Sequence, residues 1–234
     1  MTDEMGDSES RRYSDRQQKL LLDGFAGART RKVRPDEHAD MVELESEEVL
    51  ERGDEAPAFG LDGVDGETYT LDDFADTEGL LIVFTCNHCP YAKAKFEEMN
   101  RLAAAFDDVP VVGINPNDAE EYPEDDFETM VERVEEGTIQ WDAYLRDESQ
   151  DAAAAYGAKC TPDPFLFEND RGTFRLAYHG RLDDGLDPDD EVTEREMKGH
   201  IEDLLGDGDV TEEFRPSRGC SVKWKPGNEP DYWD

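Results

Sequence analysis

The chain has little cysteine, few cationic side chains and no long apolar run. Four cysteines in 234 residues are too few for a small secreted scaffold held together by disulfides. In a reducing compartment such cysteines are read as catalytic or metal-binding. No stretch approaches the ~20 apolar residues that a membrane-spanning helix needs, which excludes a transmembrane reading. Arg11-Arg12 resembles a twin-arginine export signal, but Asp23 cuts off the following Leu20-Leu21-Leu22 and leaves no apolar signal core. The expected compartment is therefore the cytoplasm. Only 24 Lys and Arg stand against 61 Asp and Glu, so the basic footprint of a nucleic-acid binder is missing.

What the chain has in excess is carboxylate. Its net charge is −37, and the acids are spread along the chain, which argues against a patch built for one basic partner. Such a surface repels itself at low salt, whereas in molar salt the Debye length falls to about 3 Å and the repulsion is screened. A cytosolic protein of a salt-loving organism is expected. Apolar runs such as Leu80-Leu81-Ile82-Val83-Phe84 set the chain apart from a disordered polyacid. Its length suits one domain with tails. Residues 1–40 carry nine acids and eight bases, a net of −1, leaving −36 on the remaining 194 residues. This segment reads as a disordered tail, or as an upstream extension with translation starting at Met41. Residues 41–210 read as the folded domain and 211–234 as a C-terminal tail packing on it.

Turn residues at Asp65-Gly66 between short alternating runs predict a β-hairpin within 53–74. Leu80 to Phe84 predicts a buried strand, and Pro90 to Phe106 a helix with Phe96, Met99, Leu102, Ala103 and Phe106 on one face. Further strands are predicted at 109–114 and 139–145, and helices at 127–134, around 152–156 and at 193–205. A second hairpin is predicted from 165–167 and 174–178 about the turn 169–172. Helices alternating with strands in this order imply an α/β fold, a central sheet covered by helices.

The chemistry concentrates in Thr85-Cys86-Asn87-His88-Cys89-Pro90. A Cys-x-x-Cys where a buried strand feeds a helix places the first sulfur near free backbone N–H groups and the positive end of the helix dipole, which favours a thiolate. Only the thiolate attacks a disulfide. Cys89, one turn later, is placed to resolve the mixed disulfide. His88 is expected to give Cys86 a hydrogen bond or a positive charge.

These residues, with 53–74, the strand–Cys-x-x-Cys–helix unit and Thr161-Pro162 before a strand, resemble the thioredoxin-like superfamily, within its alkyl hydroperoxide reductase/thiol-specific antioxidant (peroxiredoxin-like) family. Cys86-Asn87-His88-Cys89-Pro90-Tyr91 and the tail 219–225 further resemble a peroxiredoxin-like subfamily within it. The resemblance implies a three-layer sandwich with a central mixed β-sheet, flanking helices and an N-terminal β-hairpin. It implies Cys86 as attacking and Cys89 as resolving cysteine, Thr85, Asn87, His88 and Thr161 shaping the site, and a cis peptide bond at Pro162.

True peroxiredoxins carry Thr three residues before the peroxidatic cysteine, where this chain has Val83. Thioredoxins carry Trp before the first cysteine, where it has Thr85. The expected activity is thiol–disulfide exchange, with thiol-dependent peroxidase as the alternative and a copper-binding chaperone using Cys86, Cys89 and a histidine such as His179 as a third reading. Cys160 and Cys220 are possible additional redox cysteines. Cys160 is expected to approach the site because it lies two residues before Pro162. His38, His179 and His200 are otherwise expected at the surface. The expected partners are a protein or small-molecule disulfide, or a peroxide, and a thioredoxin-type or low-molecular-weight thiol reductant. No cofactor or metal is expected.

Overall fold

Leu80 to Phe84 lies at the heart of the protein, each of its five side chains fully buried. A strand apolar on both faces needs cover on both, and the computed structural model, which describes residues 42–206 and 210–233, supplies it. The strands, in chain order, are β1 (Glu43–Glu45), β2 (Leu61–Gly63), β3 (Thr68–Tyr69), β4 (Gly79–Phe84), β5 (Val111–Asn115), β6 (Ala143–Arg146), β7 (Cys160–Thr161), β8 (Asp163–Asp170), β9 (Thr173–His179) and β10 (Arg218–Ser221). The helices are α1 (Pro90–Ala105), α2 (Phe127–Glu135), α3 (Asp151–Tyr156) and α4 (Glu196–Leu205).

Seven strands form one mixed sheet in the order β3-β2-β6-β5-β4-β8-β9. β4, β5 and β6 are parallel, and β8 joins β4 antiparallel with Phe84 opposite Asp163. Alternation along β4 sends Leu81 and Val83 to one face, where they meet Phe96, Met99 and Leu102 of α1 and Met197 and Ile201 of α4. Phe84 points to the other face, against Tyr156 of α3 and Phe165. The fold is thus the α/β sandwich expected, with a central mixed sheet flanked by helices. Among the described residues, no helix is long and apolar enough to cross a membrane.

The hairpins form where the turn residues predicted them. β2 and β3 close around Gly66, and Arg171 (φ 56°) with Gly172 (φ 91°) turns β8 into β9. Two boundaries move inward for local reasons. The 139–145 strand shrinks to β6 because Trp141 packs edge-on against Phe96 and Tyr144, over Gly113, where any side chain would collide with the indole. The last helix starts at Glu196 rather than Thr193, whose N–H donates to Asp184 Oδ1 at 2.8 Å.

The C-terminal tail supplies β10, the middle strand of a second sheet, β1-β10-β7. Cys220 stands opposite both Glu43 and Thr161, and Ser221 opposite Cys160. Beyond β10 the chain is held from both sides: Lys223 N donates to Asn117 Oδ1 (2.9 Å), Gln150 Nε2 to Lys223 O (2.9 Å) and Asp118 N to Lys223 O (2.8 Å). β10 approaches β7 so closely that a Cβ at Gly219 would run into the Thr161 carbonyl. Gly219→Ala should therefore cost roughly 1–3 kcal/mol, the usual range for overpacking. A urea midpoint unchanged from wild type would show that the approach is looser than described.

Candidate active site

β4 delivers Thr85 and Cys86 at its carboxyl end, where Thr85 N–H still bonds to Ile114 O at 2.8 Å. Cys86 is a fully buried free thiol. Its Sγ lies 3.2 Å from Thr161 Oγ1. The Thr161–Pro162 peptide bond is cis, and the Thr161 carbonyl oxygen lies 3.4 Å from Cys89 Sγ. One residue therefore touches both cysteines of the motif, from 72 and 75 positions away.

The expected pairing of Cys86 with Cys89 is not the one in the structure. Cys89 is bonded to Cys220, with a Cα separation of 6.1 Å, inside the range disulfides require. The cause is register: β10 sets Cys220 opposite Thr161, and Thr161 borders Cys89. The helix-dipole expectation also needs correction. α1 begins at Pro90, whose fixed φ suits a first helical position, and Cys89 is its N-cap. Cys86 lies three residues earlier. The free amides next to it, those of Asn87 and His88, donate to Asp125 Oδ1 at 2.6 and 3.2 Å.

Asp125 is the site residue that sequence reasoning missed. It is fully buried in the 3-10 turn Pro123–Asp125, just before α2. Its Oδ2 takes His88 Nδ1 at 2.5 Å and Asn117 Nδ2 at 2.7 Å. Tyr122, from the same turn, stacks on the His88 ring with centroids 5.2 Å apart. The hydrogen bond expected to run from His88 to Cys86 thus goes first to Asp125. His88 Nε2, like Thr85 Oγ1 and Asn87 Nδ2, is buried without a hydrogen-bond partner. Cys86 Sγ, a His88 ring nitrogen and an Asp125 carboxylate oxygen nevertheless lie within 4.8 Å of one another.

Burial works against a charged imidazole at His88, but Asp125 and then the Cys86 sulfur outweigh it and push the pKa up to about 10 from 6.5. Asp125 is driven below the usual carboxylate range: burial opposes this, and His88, Asn117 and the Asn87 amide overcome it. The His88 ring, favoured in its charged form, is wedged between the Asp125 carboxylate and the Cys86 sulfur. A cationic imidazole donates from both nitrogens; with Nδ1–H committed to Asp125, Nε2–H and its charge are left for an anion at Cys86.

Linkage gives these shifts a sign. Stability contributed through His88 is complete below about pH 6.5 and fades as pH rises towards 10. The contribution through Asp125 is present above pH 3.8 and is lost as pH falls through its lowered value. Asp125→Asn keeps an acceptor for the two amides and removes the charge. In that variant the His88 titration, followed by the NMR shift of its ring protons, should fall from about 10 towards 6.5. A midpoint that stays near 10 would show that Asp125 does not hold the charge.

The other candidates fall elsewhere. Cys160 is buried, but neighbouring strand residues point to opposite faces, and Thr161 is the one that faces Cys86. Cys160 Sγ lies 3.6 Å from Pro162 O and 4.0 Å from Ser217 O. Burial, then Asp163, pushes its thiol pKa well up, as for an inert packing residue. His179 and His200 are buried, not at the surface. His179 Nε2 pairs with Asp163 Oδ1 at 2.7 Å and its ring stacks on Phe165, while His200 packs on Tyr178. His38 lies outside the described residues. His179 is thus committed away from Cys86. The described residues that could gather round a metal are Cys86, His88 and Asp125; of these, Asp125 already accepts four hydrogen bonds, one of them from His88 Nδ1.

No curated protein matches the chain. A crystal structure of an uncharacterized conserved protein from Geobacillus kaustophilus is 40% identical, with a TM-score of 0.74, over 80% of this chain and 98% of that one. A hypothetical protein from Sinorhizobium meliloti 1021 is 35% identical, with a TM-score of 0.72, over 78% of this chain and 99% of its own. The model of the AhpC/TSA family matches residues 52–182, a span that runs from the first hairpin through Cys86, Asp125 and Thr161 into the strand pair β8–β9. The match covers more than half of the 234 residues, and the chain belongs to the AhpC/TSA family of thiol-dependent redox enzymes.

Proposed function

We propose that the protein catalyses thiol–disulfide exchange with Cys86 as the attacking thiol and Cys89 as the resolving one. The observation that carries this reading is Cys86 itself, a free thiol at the end of β4 that shares Thr161 with Cys89 and stands beside the His88 cation. Each neighbour has a role in it. His88 presents its charge to the Cys86 sulfur, and the thiolate is the nucleophile in this chemistry. Asp125 keeps His88 charged and oriented, and Asn87, whose Oδ1 accepts from Tyr144 OH at 3.0 Å, fixes the loop. Thr85 and the cis Thr161–Pro162 unit set the walls. The substrate is a protein or small-molecule disulfide, and a thioredoxin-type or low-molecular-weight thiol returns the electrons.

A second reading, thiol-dependent peroxidase, is favoured by the Thr161 hydroxyl 3.2 Å from Cys86. It offers the function of the threonine that peroxiredoxins place three residues before their cysteine, and Cys86 would pass through a sulfenic acid. A paired assay separates the two: insulin-disulfide reduction and peroxide consumption by the purified protein with a thiol reductant, in molar salt. Disulfide exchange predicts insulin reduction well above the reductant's background with little peroxide turnover, and the reverse result selects the peroxidase.

A further inference from the structure

The Cys-x-x-Cys motif and the disulfide in the structure make competing claims on Cys89. Cys86, Cys89 and Cys220 are all buried in the same hydrophobic core, and Thr161 contacts the first two while pairing in register with the third. We propose that Cys220 is a third redox cysteine of this site and that the disulfide moves between two positions on Cys89. The proposal rests on the reading of Cys86 as nucleophile.

In the step, the Cys86 thiolate attacks the Cys89 sulfur of the Cys89–Cys220 bond. The Cys86–Cys89 bond forms, the Cys89–Cys220 bond breaks, and Cys220 leaves as a thiolate. One disulfide and one thiol exist before and after, the proton given up by Cys86 is matched by one gained at Cys220, and no outside oxidant or reductant is consumed. Attack falls on Cys89 rather than on Cys220 because Thr161 contacts the sulfurs of both Cys86 and Cys89, whereas it meets Cys220 through strand pairing.

Two features suit Cys220 to this role. It is delivered by a backbone pairing, β10 between β1 and β7, and the chain just beyond is hydrogen-bonded at Lys223, contacts that hold the thiol near the site after it leaves and keep the reverse attack open. Cys89–Cys220 also leaves Cys86 free in the oxidised protein, so the protein carries an oxidised pair and a nucleophile at once.

The experiment is disulfide mapping of the full chain. Wild type is oxidised with one equivalent of diamide in molar salt, quenched in acid after increasing times, alkylated and analysed by peptide mass spectrometry. The expected result is both linkages, Cys89–Cys220 and Cys86–Cys89, approaching one constant ratio from samples oxidised either native or unfolded and then refolded. Cys86→Ser should lose the second linkage entirely and Cys220→Ser the first, with near-UV circular dichroism confirming that each variant is folded. If wild type holds only Cys86–Cys89 at every time, Cys220 has no redox role, while insulin reduction still supports the proposed function. If it holds only Cys89–Cys220, or forms Cys86–Cys220, exchange at Cys89 is wrong. Loss of insulin reduction in wild type would instead remove the reading of Cys86 on which the proposal rests.

Discussion

Cys86→Ser is expected to reduce thiol–disulfide exchange by about a thousandfold or more, the scale seen when an enzyme loses its nucleophile. A serine hydroxyl is not ionised at any pH where the protein is folded, so the His88 charge has no thiolate to stabilise. The substitution is close to isosteric, and the new hydroxyl can keep the contact with Thr161 Oγ1 that Cys86 makes at 3.2 Å. Stability should therefore change little, which separates loss of chemistry from loss of fold. Insulin reduction and the thermal midpoint, measured together in molar salt, decide the matter. A variant that is folded and retains exchange would place the nucleophile elsewhere.

The second large effect concerns the tail. The Cys89–Cys220 bond closes a loop of 131 residues, and on the chain-entropy account a loop of that size stabilises by up to about 5 kcal/mol, with 2–4 typical of disulfides in general. Reducing the wild-type protein with dithiothreitol should then lower its thermal midpoint by roughly 10 °C, at about 2–4 °C per kcal/mol for a domain of this size. The scans must share one high salt concentration, because the −37 net charge makes stability depend on screening. Midpoints that agree within a degree would mean that β10 is held by its pairing alone. The hydrogen bonds that Lys223 donates to Asn117 and accepts from Asp118 and Gln150 should keep the reduced tail in place below the transition.

Both predictions depend on contacts of very different legibility. What the sequence determined by itself is local: the apolar run that becomes β4, the proline that starts α1 after Cys89, the turn residues of both hairpins, and the Cys-x-x-Cys between a strand and a helix. Each is a pattern over a few neighbouring residues, and strand alternation, helical spacing and turn chemistry act at that range. The acid surplus, equally legible, hid the key carboxylate. Asp125 is one of 61 acids, and nothing in Pro-Glu-Asp-Asp distinguishes the one that faces inward. It is found only because the sheet brings its turn against Asn87 and His88, 37 to 38 residues away. The strands β1, β7 and β10, of three, two and four residues, are too short to show a period. Which cysteine holds Cys89, and which one faces away, was decided by the register of β10 on β7: with side chains alternating at every residue, a slip of one position would have turned Cys220 from the site and left Cys86 as the only thiol beside it.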